Sequence, residues 1–406
     1  MRQEQSACVY LETGSAMKIL MLSQGRKIED QPDFDVALRN AECDGENVEL
    51  LNIPYVGYVE KHGGEAFYSE VVRANSEFKP DLVFFQFFHS ANPGDPCPCV
   101  SALRAAKKRP LVFGSIGDAF DTGLFKCFGR VMPLQTLKLA EVADAIFTTT
   151  MGSPTVELIK HGAKNVVFLP HAFLPEHFPL PDIEDKVKKQ FDVVMIGSRP
   201  TIKALIKRPL LGFTRGFTRE ATVRALSRRF GDRFALFGNG WKGISARGAC
   251  RFSEQLDMFR RGRIGVDFPA QVADRYYMSD RPFFILGSGT PLIIMYVAGL
   301  DKIFKDGKHA YFASSIVELP DVCEKVLRRG DDELEQNRRD TLKLIANRHL
   351  IANRMDTMLS VYEALKRCRS GECSSEAALR QIRMHHFLPE IDLEAEYKHA
   401  VANWRG

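Results

Sequence analysis

Three features of this sequence predict an α/β chain with two doubly wound parallel-sheet domains. Short apolar runs alternate with stretches of helical periodicity along most of the length. The alternation occurs twice, and a proline-punctuated stretch separates the two series. Most apolar runs end in a glycine or a small polar turn, as buried parallel strands do where they open onto loops. Strand–helix alternation gives a parallel sheet covered on both faces, because each helix carries the chain back to start the next strand in the same direction. The 406 residues suffice for two such domains, and 45% hydrophobic content is enough to give each a core.

The first series opens at Met17. Residues 18–22 (KILML) form a buried strand that meets the turn Ser23-Gln24-Gly25. Residues 35–41 are helical, 48–51 a strand, and 67–78 a helix that stops before Lys79-Pro80-Asp81. Residues 82–88 (LVFFQFF) are a strand, 100–107 a helix, and 111–116 a strand running into Gly117-Asp118. A helix at 133–143, a strand at 145–149, a helix at 155–161 and a strand at 166–169 complete the series. Pro170-His171-Ala172 then leads into Pro175, Pro179 and Pro181, the clearest boundary in the chain. Residues 1–16 lack the charged-then-apolar order of a signal peptide and read as a disordered extension. Residues 17–180 read as the first domain.

The second series has strands at 191–198, 234–237, 264–268 and 291–295, with helices at 219–230 and 281–286. Helices at 317–327, 332–347 and 350–365 follow. Residues 181–370 read as the second domain. Residues 371–406, charged and mostly helical, are expected to pack back toward the first.

Composition narrows the function. A net charge of +5 is too mild for a dedicated nucleic-acid binder and suits an anionic ligand such as a nucleotide diphosphate. The nine cysteines are odd in number and irregularly spaced, without a CxxC pair, so they read as free thiols of a reducing cytoplasm. Cys97-Pro98-Cys99 reads as two loop thiols. There is no apolar run long enough to span a membrane. The absence of HExxH, GxSxG and Walker patterns argues against metalloprotease, hydrolase and P-loop chemistry. Asp33-Phe34-Asp35 is formally a DxD, but it opens a helix and reads as a cap, so no metal is assigned.

Two such sheets place a ligand in the cleft between them, at the carboxyl ends of the strands. In the first series Gly25, His89 and Asp118 follow strands, and His171 sits at the hinge. Asp118 is the first candidate for a catalytic or acceptor-orienting carboxylate, with a helix cap as the alternative; His89 is the alternative base. Gly25 lets the backbone approach an acceptor closely. In the second series Arg199 and Lys203 follow a strand and suit phosphate contact, and Gly238-Asn239-Gly240 makes a tight turn. Ser279 or Asp280 is placed to cap a helix beginning at Arg281. A cation in a first helical turn is disfavoured by the helix dipole, and a bound anion would offset this; a solvated arginine is the alternative. The basic clusters Arg228-Arg229 and Arg260-Arg261-Gly262-Arg263 read as solvated faces, with contact to an anionic acceptor such as a polysaccharide, lipid headgroup or nucleic acid as the alternative.

Residues 277–293 carry a family resemblance. Arg281, Phe283, Gly289 and Pro291 match the R-x-F-E-x-x-A-x-G-x-P signature of GT-B glycosyltransferases, specifically the spore-maturation (CgeB-like) group related to glycosyltransferase family 4. Residues 191–198 resemble that group's opening strand of the second domain. Residues 236–241 resemble its G-x-G-W turn, and 300–307 its G-L-D-x-L-F-x-D-G segment. His349 and Arg354 sit as in its late H-T-Y-x-x-R helix. The resemblance covers about residues 17–365.

It implies two Rossmann-like domains facing across a cleft, and sugar transfer from a nucleotide-diphosphate sugar without metal or further cofactor, with retention of configuration. The donor would be held by Arg199, Lys203, Gly238, Asn239, Gly240, Ser279, Arg281 and Gly289. The acceptor would sit near Gly25 and His171, with Asp118 or His89 at the reacting hydroxyl. Phe284 departs from the pattern: related enzymes carry a glutamate there that grips the donor ribose. Tyr276 stands where the first glutamate of that pair would fall. A nucleotide-sugar epimerase, a DNA-directed glycosyltransferase and a non-catalytic sugar- or partner-binding module are the rival readings. The acceptor, whether glycan, lipid, protein or nucleic acid, stays open.

Overall fold

A computed structural model describes residues 16–89, 91–117, 132–185, 187–199, 211–269, 274–382, 388 and 390–402. Within them the first series forms a seven-stranded sheet. Its strands are β1 (Met17–Ser23), β2 (Glu42–Cys43), β3 (Glu46–Pro54), β4 (Leu82–Phe85), β5 (Leu111–Ile116), β6 (Ala145–Thr148) and β7 (Val166–Phe168). Their order is β2-β3-β1-β4-β5-β6-β7. All pairings are parallel except the β2–β3 hairpin. Its turn holds Asp44 and Gly45 at φ 53° and 77°, the mirror-image turn that matches strand twist. The chain builds outward from β1 to β3, then returns to lay β4 on the other side of β1. The topological switch point therefore lies between β1 and β4, where open α/β sheets hold ligands.

Ile19, Leu20, Met21 and Leu22 of β1 are fully buried, because strands flank both edges and helices cover both faces. Each such side chain contributes roughly 1.5–3 kcal/mol by leaving water. The run expected as a strand to residue 88 ends at Phe85. Phe87 adopts φ 46°, and the Phe88 N–H bonds the Ser115 carbonyl (3.1 Å), so the chain turns across the carboxyl edge.

The second sheet comprises β8 (Phe191–Ile196), β9 (Phe234–Phe237), β10 (Gly262–Asp267), β11 (Leu292–Met295) and β12 (Ala310–Ala313). It is parallel throughout, in the order β12-β11-β10-β8-β9. Its switch point lies between β8 and β10.

The chain crosses between the sheets at 170–190 and again at 349–351. The crossings are bonded to each other: Phe173 N–H to the His349 carbonyl (2.7 Å), and Ile351 N–H to the Phe173 carbonyl (3.0 Å). Arg354, fully buried, donates to the carbonyls of Pro170 (3.0 Å), His171 (2.9 Å) and Arg348 (2.9 Å), and to His349 Nδ1 (3.1 Å). Burial pulls its pKa down to about 9, which leaves it charged at neutral pH.

The second domain, expected to run to residue 370, ends twenty residues earlier by packing. The helix Ile351–Ser370 lies on the first sheet, with Met355, Met358 and Leu359 in one apolar cluster with Ile19, Phe34 and Leu38. Glu363 accepts the Asp44 N–H (3.0 Å), and Arg369 donates to the Arg109 carbonyl (3.0 Å). Sequence periodicity identifies such a helix but not the sheet it covers.

The helix Leu393–Ala402 touches both domains. Tyr397 Oη accepts the Phe168 N–H (2.9 Å) in the first. Glu396 accepts from Arg275 (2.6 Å), Tyr276 Oη (2.8 Å) and Lys302 (2.8 Å) in the second. Burial alone would raise the Glu396 pKa, but the bonds from Lys302, Arg275 and Tyr276 outweigh it and hold it below about 4.5.

Glu396→Ala is expected to lower the unfolding free energy by ~3 kcal/mol, because three donors lose a buried acceptor together. Tyr397→Phe is expected to cost about 1 kcal/mol. Urea unfolding reads both. The Glu396 contribution is present above its ordinary pKa and is lost as pH falls through the lower folded value.

A second pH effect comes from His349. Burial holds its pKa well below 6.5, and Arg354 and Arg348 add to this. The unfolded chain then binds the extra proton, so stability is full above about pH 6.5 and falls as pH drops below it, by up to ~1.4 kcal/mol per unit. Unfolding midpoints from pH 7 to 5 should show this slope, and His349→Phe should flatten it.

Candidate functional site

A cavity of about 330 Å³ opens at the carboxyl edge of the first sheet. The residues that follow or end β1, β4, β5, β6 and β7 contribute Gln24, Phe87, Ser115, Thr149 and Leu169 to its wall. Phe252 and Asp280 of the second domain close it, and Met355 and Arg354 reach it from the returning helix. At the switch point the Gln24 N–H bonds Gln86 Oε1 (2.8 Å), and Gln86 Nε2 bonds Gln31 Oε1 (3.3 Å). These amides fix the loop after β1 against the end of β4.

The predicted first-domain residues divide around this cavity. His171 lies in its wall, with its ring 5.9 Å from Phe87 and its carbonyl on Arg354. His89 stands off the wall, edge-on to Phe87 at 6.2 Å and beside Gly117. Gly25 serves its own turn: its carbonyl accepts the Gly57 N–H (3.0 Å), and a Cβ there would come within 2.9 Å of the Lys27 carbonyl. Its close approach is therefore to protein backbone. Asp118 and Lys203 lie outside the described residues.

Two residues, Asp33 and His177, were not assigned to the site from the sequence. Asp33 was read as a cap, yet its side chain caps nothing in the helix Pro32–Arg39. It accepts the Glu176 N–H (2.7 Å) and bonds His177 Nδ1. His177 lines the cavity. A buried carboxylate in a first helical turn and a histidine in a proline-rich linker carry no local sequence signal of their pairing.

On the second domain, the loops after β8 and β9 pack together at the carboxyl edge. Arg199 N–H bonds the Asn239 carbonyl (2.8 Å), Asn239 N–H bonds Ser198 Oγ (3.2 Å), and Trp241 Nε1 bonds the Gly197 carbonyl (2.6 Å). Gly238 has φ 141°, and a Cβ there would lie 2.4 Å from the Gly197 carbonyl, so only glycine allows this contact. Arg199, Gly238, Asn239 and Gly240 thus form one cluster at the carboxyl edge, above the neighbouring strands β8 and β9. The Arg199 guanidinium bonds Glu220 (2.8 Å).

Arg281 finds its counter-charge inside the protein. It is half-buried and donates to Asp267 at the end of β10 (2.8 Å). Burial works to lower its pKa, but Asp267, with Asp280, more than offsets this and holds it raised. The expected need for a bound anion is met by Asp267. Asp267 Oδ2 and Ser279 Oγ are buried without a hydrogen-bond partner among the described residues. Asp280 occupies the N-cap position without a side-chain cap bond and lines the cavity instead.

Gly289 falls away from the cleft. The helix Arg281–Gly287 runs back from the carboxyl edge of β10 to the start of β11, so Gly289 sits at the amino edge, where a Cβ would meet Arg338 at 2.7 Å. Phe284 packs among Phe178 (4.7 Å), Phe252 (5.7 Å) and Phe173 (6.5 Å). Cys97 and Cys99 open the helix Cys97–Ala105, and burial pushes their pKa values up to about 11 and about 12, away from thiolate chemistry.

Arg281→Ala is expected to cost ~3 kcal/mol by leaving Asp267 buried and unpaired. Arg281→Ala with Asp267→Asn should recover part of that loss. A double-mutant cycle by urea unfolding reads the coupling; additive losses would show that the pair is not coupled.

Residues 217–360 match the family model described as glycosyl transferase-like. No curated protein matches the chain. Solved structures do. An alpha-glucosyltransferase in complex with UDP-glucose and DNA containing an abasic site aligns with a TM-score of 0.55 at 10% identity, over 86% of this chain and 100% of its own. A glycosyltransferase from Rickettsia africae aligns at 0.52 and 11% identity, over 86% and 98%. Anabaena HepE in complex with UDP-glucose aligns at 0.51 and 13% identity, over 86% and 99%. These alignments show the GT-B fold, and residues 217–360 within it are similar to the glycosyl transferase-like model.

Proposed function

We propose that this protein is a glycosyltransferase that moves a sugar from a UDP-sugar to a hydroxyl acceptor. The observation that carries the reading is the meeting of the two carboxyl edges. The cavity at the first sheet's switch point is closed by Phe252 and Asp280 of the glycosyl transferase-like domain. Two neighbours of the same fold are complexes with UDP-glucose, which supports uridine as the nucleotide. The order of the motifs supports the CgeB-like group, and the free thiols support a reducing compartment.

In this reading the first domain binds the acceptor, with Asp118 or His89 near the reacting hydroxyl. The second holds the donor diphosphate through Arg199, Lys203 and the backbone of residues 238–240. The leaving diphosphate gathers negative charge as the glycosidic bond breaks. Backbone N–H groups and arginine placed there in advance stabilise it without reorganisation. No metal is required, and the family resemblance implies retention. Closure of the cleft keeps water from the donor.

A second reading, a nucleotide-sugar-binding module without turnover, draws support from Phe284 and Tyr276. One is committed to an aromatic cluster and the other to Glu396.

Thermal-shift measurement across nucleoside diphosphates tests the donor site. UDP at a hundred times its Kd should add about 2.7 kcal/mol of stability. Arg199→Ala should weaken this; Arg281→Ala is a poor control because it also breaks a buried pair. UDP-glucose with acceptor then separates the readings: product with UDP release supports transfer, and binding without turnover supports the module. No stabilisation by any diphosphate would sink both.

A further inference from the structure

We infer that the first-domain cavity is the binding site of a small, uncharged aromatic acceptor, and that His177, set by Asp33, rather than Asp118 or His89, accepts the hydrogen bond of its hydroxyl. The inference rests on the transferase reading for the word acceptor, but its binding chemistry stands apart from it.

The cavity's size and lining select the class. About 330 Å³ is at the small end of ligand pockets, which excludes a polymer from its interior. Phe34, Phe84, Phe87, Phe147 and Phe252 line it, so much of its apolar wall is aromatic. Its charged groups do not suit a phosphodiester. Asp30 and Asp280 are acidic, and the Arg354 guanidinium is held by backbone carbonyls. A sugar would require hydrogen bonds on most of its hydroxyls, whereas several polar side chains of the wall are engaged by the protein: Gln31 Oε1 accepts from Gln86 (3.3 Å), Ser115 Oγ accepts the Phe87 N–H (2.8 Å) and Thr149 Oγ1 donates to the Gly117 carbonyl (3.5 Å).

One polar pair within this lining is oriented. The Asp33 side chain is 1% exposed and that of His177 is 25% exposed. Asp33 is absent from the cavity wall, whereas His177 is part of it. The carboxylate therefore stands behind the ring. It accepts the Glu176 N–H (2.7 Å), which fixes its position, and it engages His177 Nδ1. A carboxylate at Nδ1 keeps the proton there, so in the neutral ring Nε2 carries the lone pair. Phe252 meets the ring edge-on at 5.2 Å and limits its rotation. A histidine held in one tautomer, at the wall of an aromatic cavity, is a hydrogen-bond acceptor for a phenolic or similar hydroxyl.

The test uses the full chain and two fluorescent probes that differ by one hydroxyl, 2-naphthol and naphthalene, titrated alongside UDP. 2-Naphthol should bind about tenfold tighter than naphthalene, the worth of one net hydrogen bond. His177→Ala should abolish that preference and still bind UDP, which shows that the variant is folded and that the donor site is intact. Asp33→Asn should weaken the preference by releasing the tautomer. If His177→Ala fails to fold, His177→Gln, which keeps an acceptor, should retain part of the preference. The inference is overturned if 2-naphthol does not bind, if it binds no better than naphthalene, or if His177→Ala leaves the preference unchanged. It is also overturned if maltotriose or a short DNA duplex binds where 2-naphthol does not. Failure of UDP to bind the wild-type protein would instead sink the transferase reading, whatever the probes show.

Discussion

The geometry of both candidate sites depends on how two passes of chain are held at the hinge. Arg354 is the centre of that constraint. Its guanidinium donates to carbonyls on both passes, at Pro170 and His171 on one and Arg348 on the other. A buried charge of this kind is tolerated because its donors are used, and breaking such a set is costly. Phe173 and Leu350 complete the junction as a short parallel bridge. The carboxyl edges of the two sheets are thereby set against one cavity.

Around that junction, two positions at which the signature that this sequence resembles carries glutamates are given over to packing. Phe284 belongs to an aromatic cluster with Phe173, Phe178 and Phe252 that fills the space between the domains. Tyr276, at φ 60°, donates to Glu396 and packs against Gly299, where a Cβ would lie 2.6 Å from its ring. Neither is placed to grip a ribose by charge. The buried Asp267, one oxygen on Arg281 and the other without a partner among the described residues, is a carboxylate near the same edge.

Much of the architecture was legible in the sequence. Apolar runs such as 111–116 and 234–237 coincide with β5 and β9, because buried parallel strands need continuous hydrophobicity and their ends are marked by glycine. The short edge strand β12 was not legible: four residues give too little periodicity to separate strand from turn. The β2–β3 hairpin was missed although Asp44-Gly45 is a strong turn signal. The glycines at 238–240 were legible as a tight turn, since a strand-end glycine reports on backbone approach, and that turn lies against Arg199. The Asp33–His177 pair was not, because it joins residues 144 positions apart and each alone resembles a cap or a linker. Gly289 was misplaced because a motif gives order along the chain but not which edge of the sheet its end reaches.

In the proposed transferase reading, a nucleotide-diphosphate sugar binds at the carboxyl edge of the second sheet, across from the first-domain cavity. Hydrogen–deuterium exchange with and without UDP-glucose tests it most directly. Donor binding there is expected to slow exchange at residues 197–199 and 238–241, with smaller protection around the hinge. Protection confined to the amino edge near Gly289 and Arg338, or none at all under saturating ligand, would contradict it.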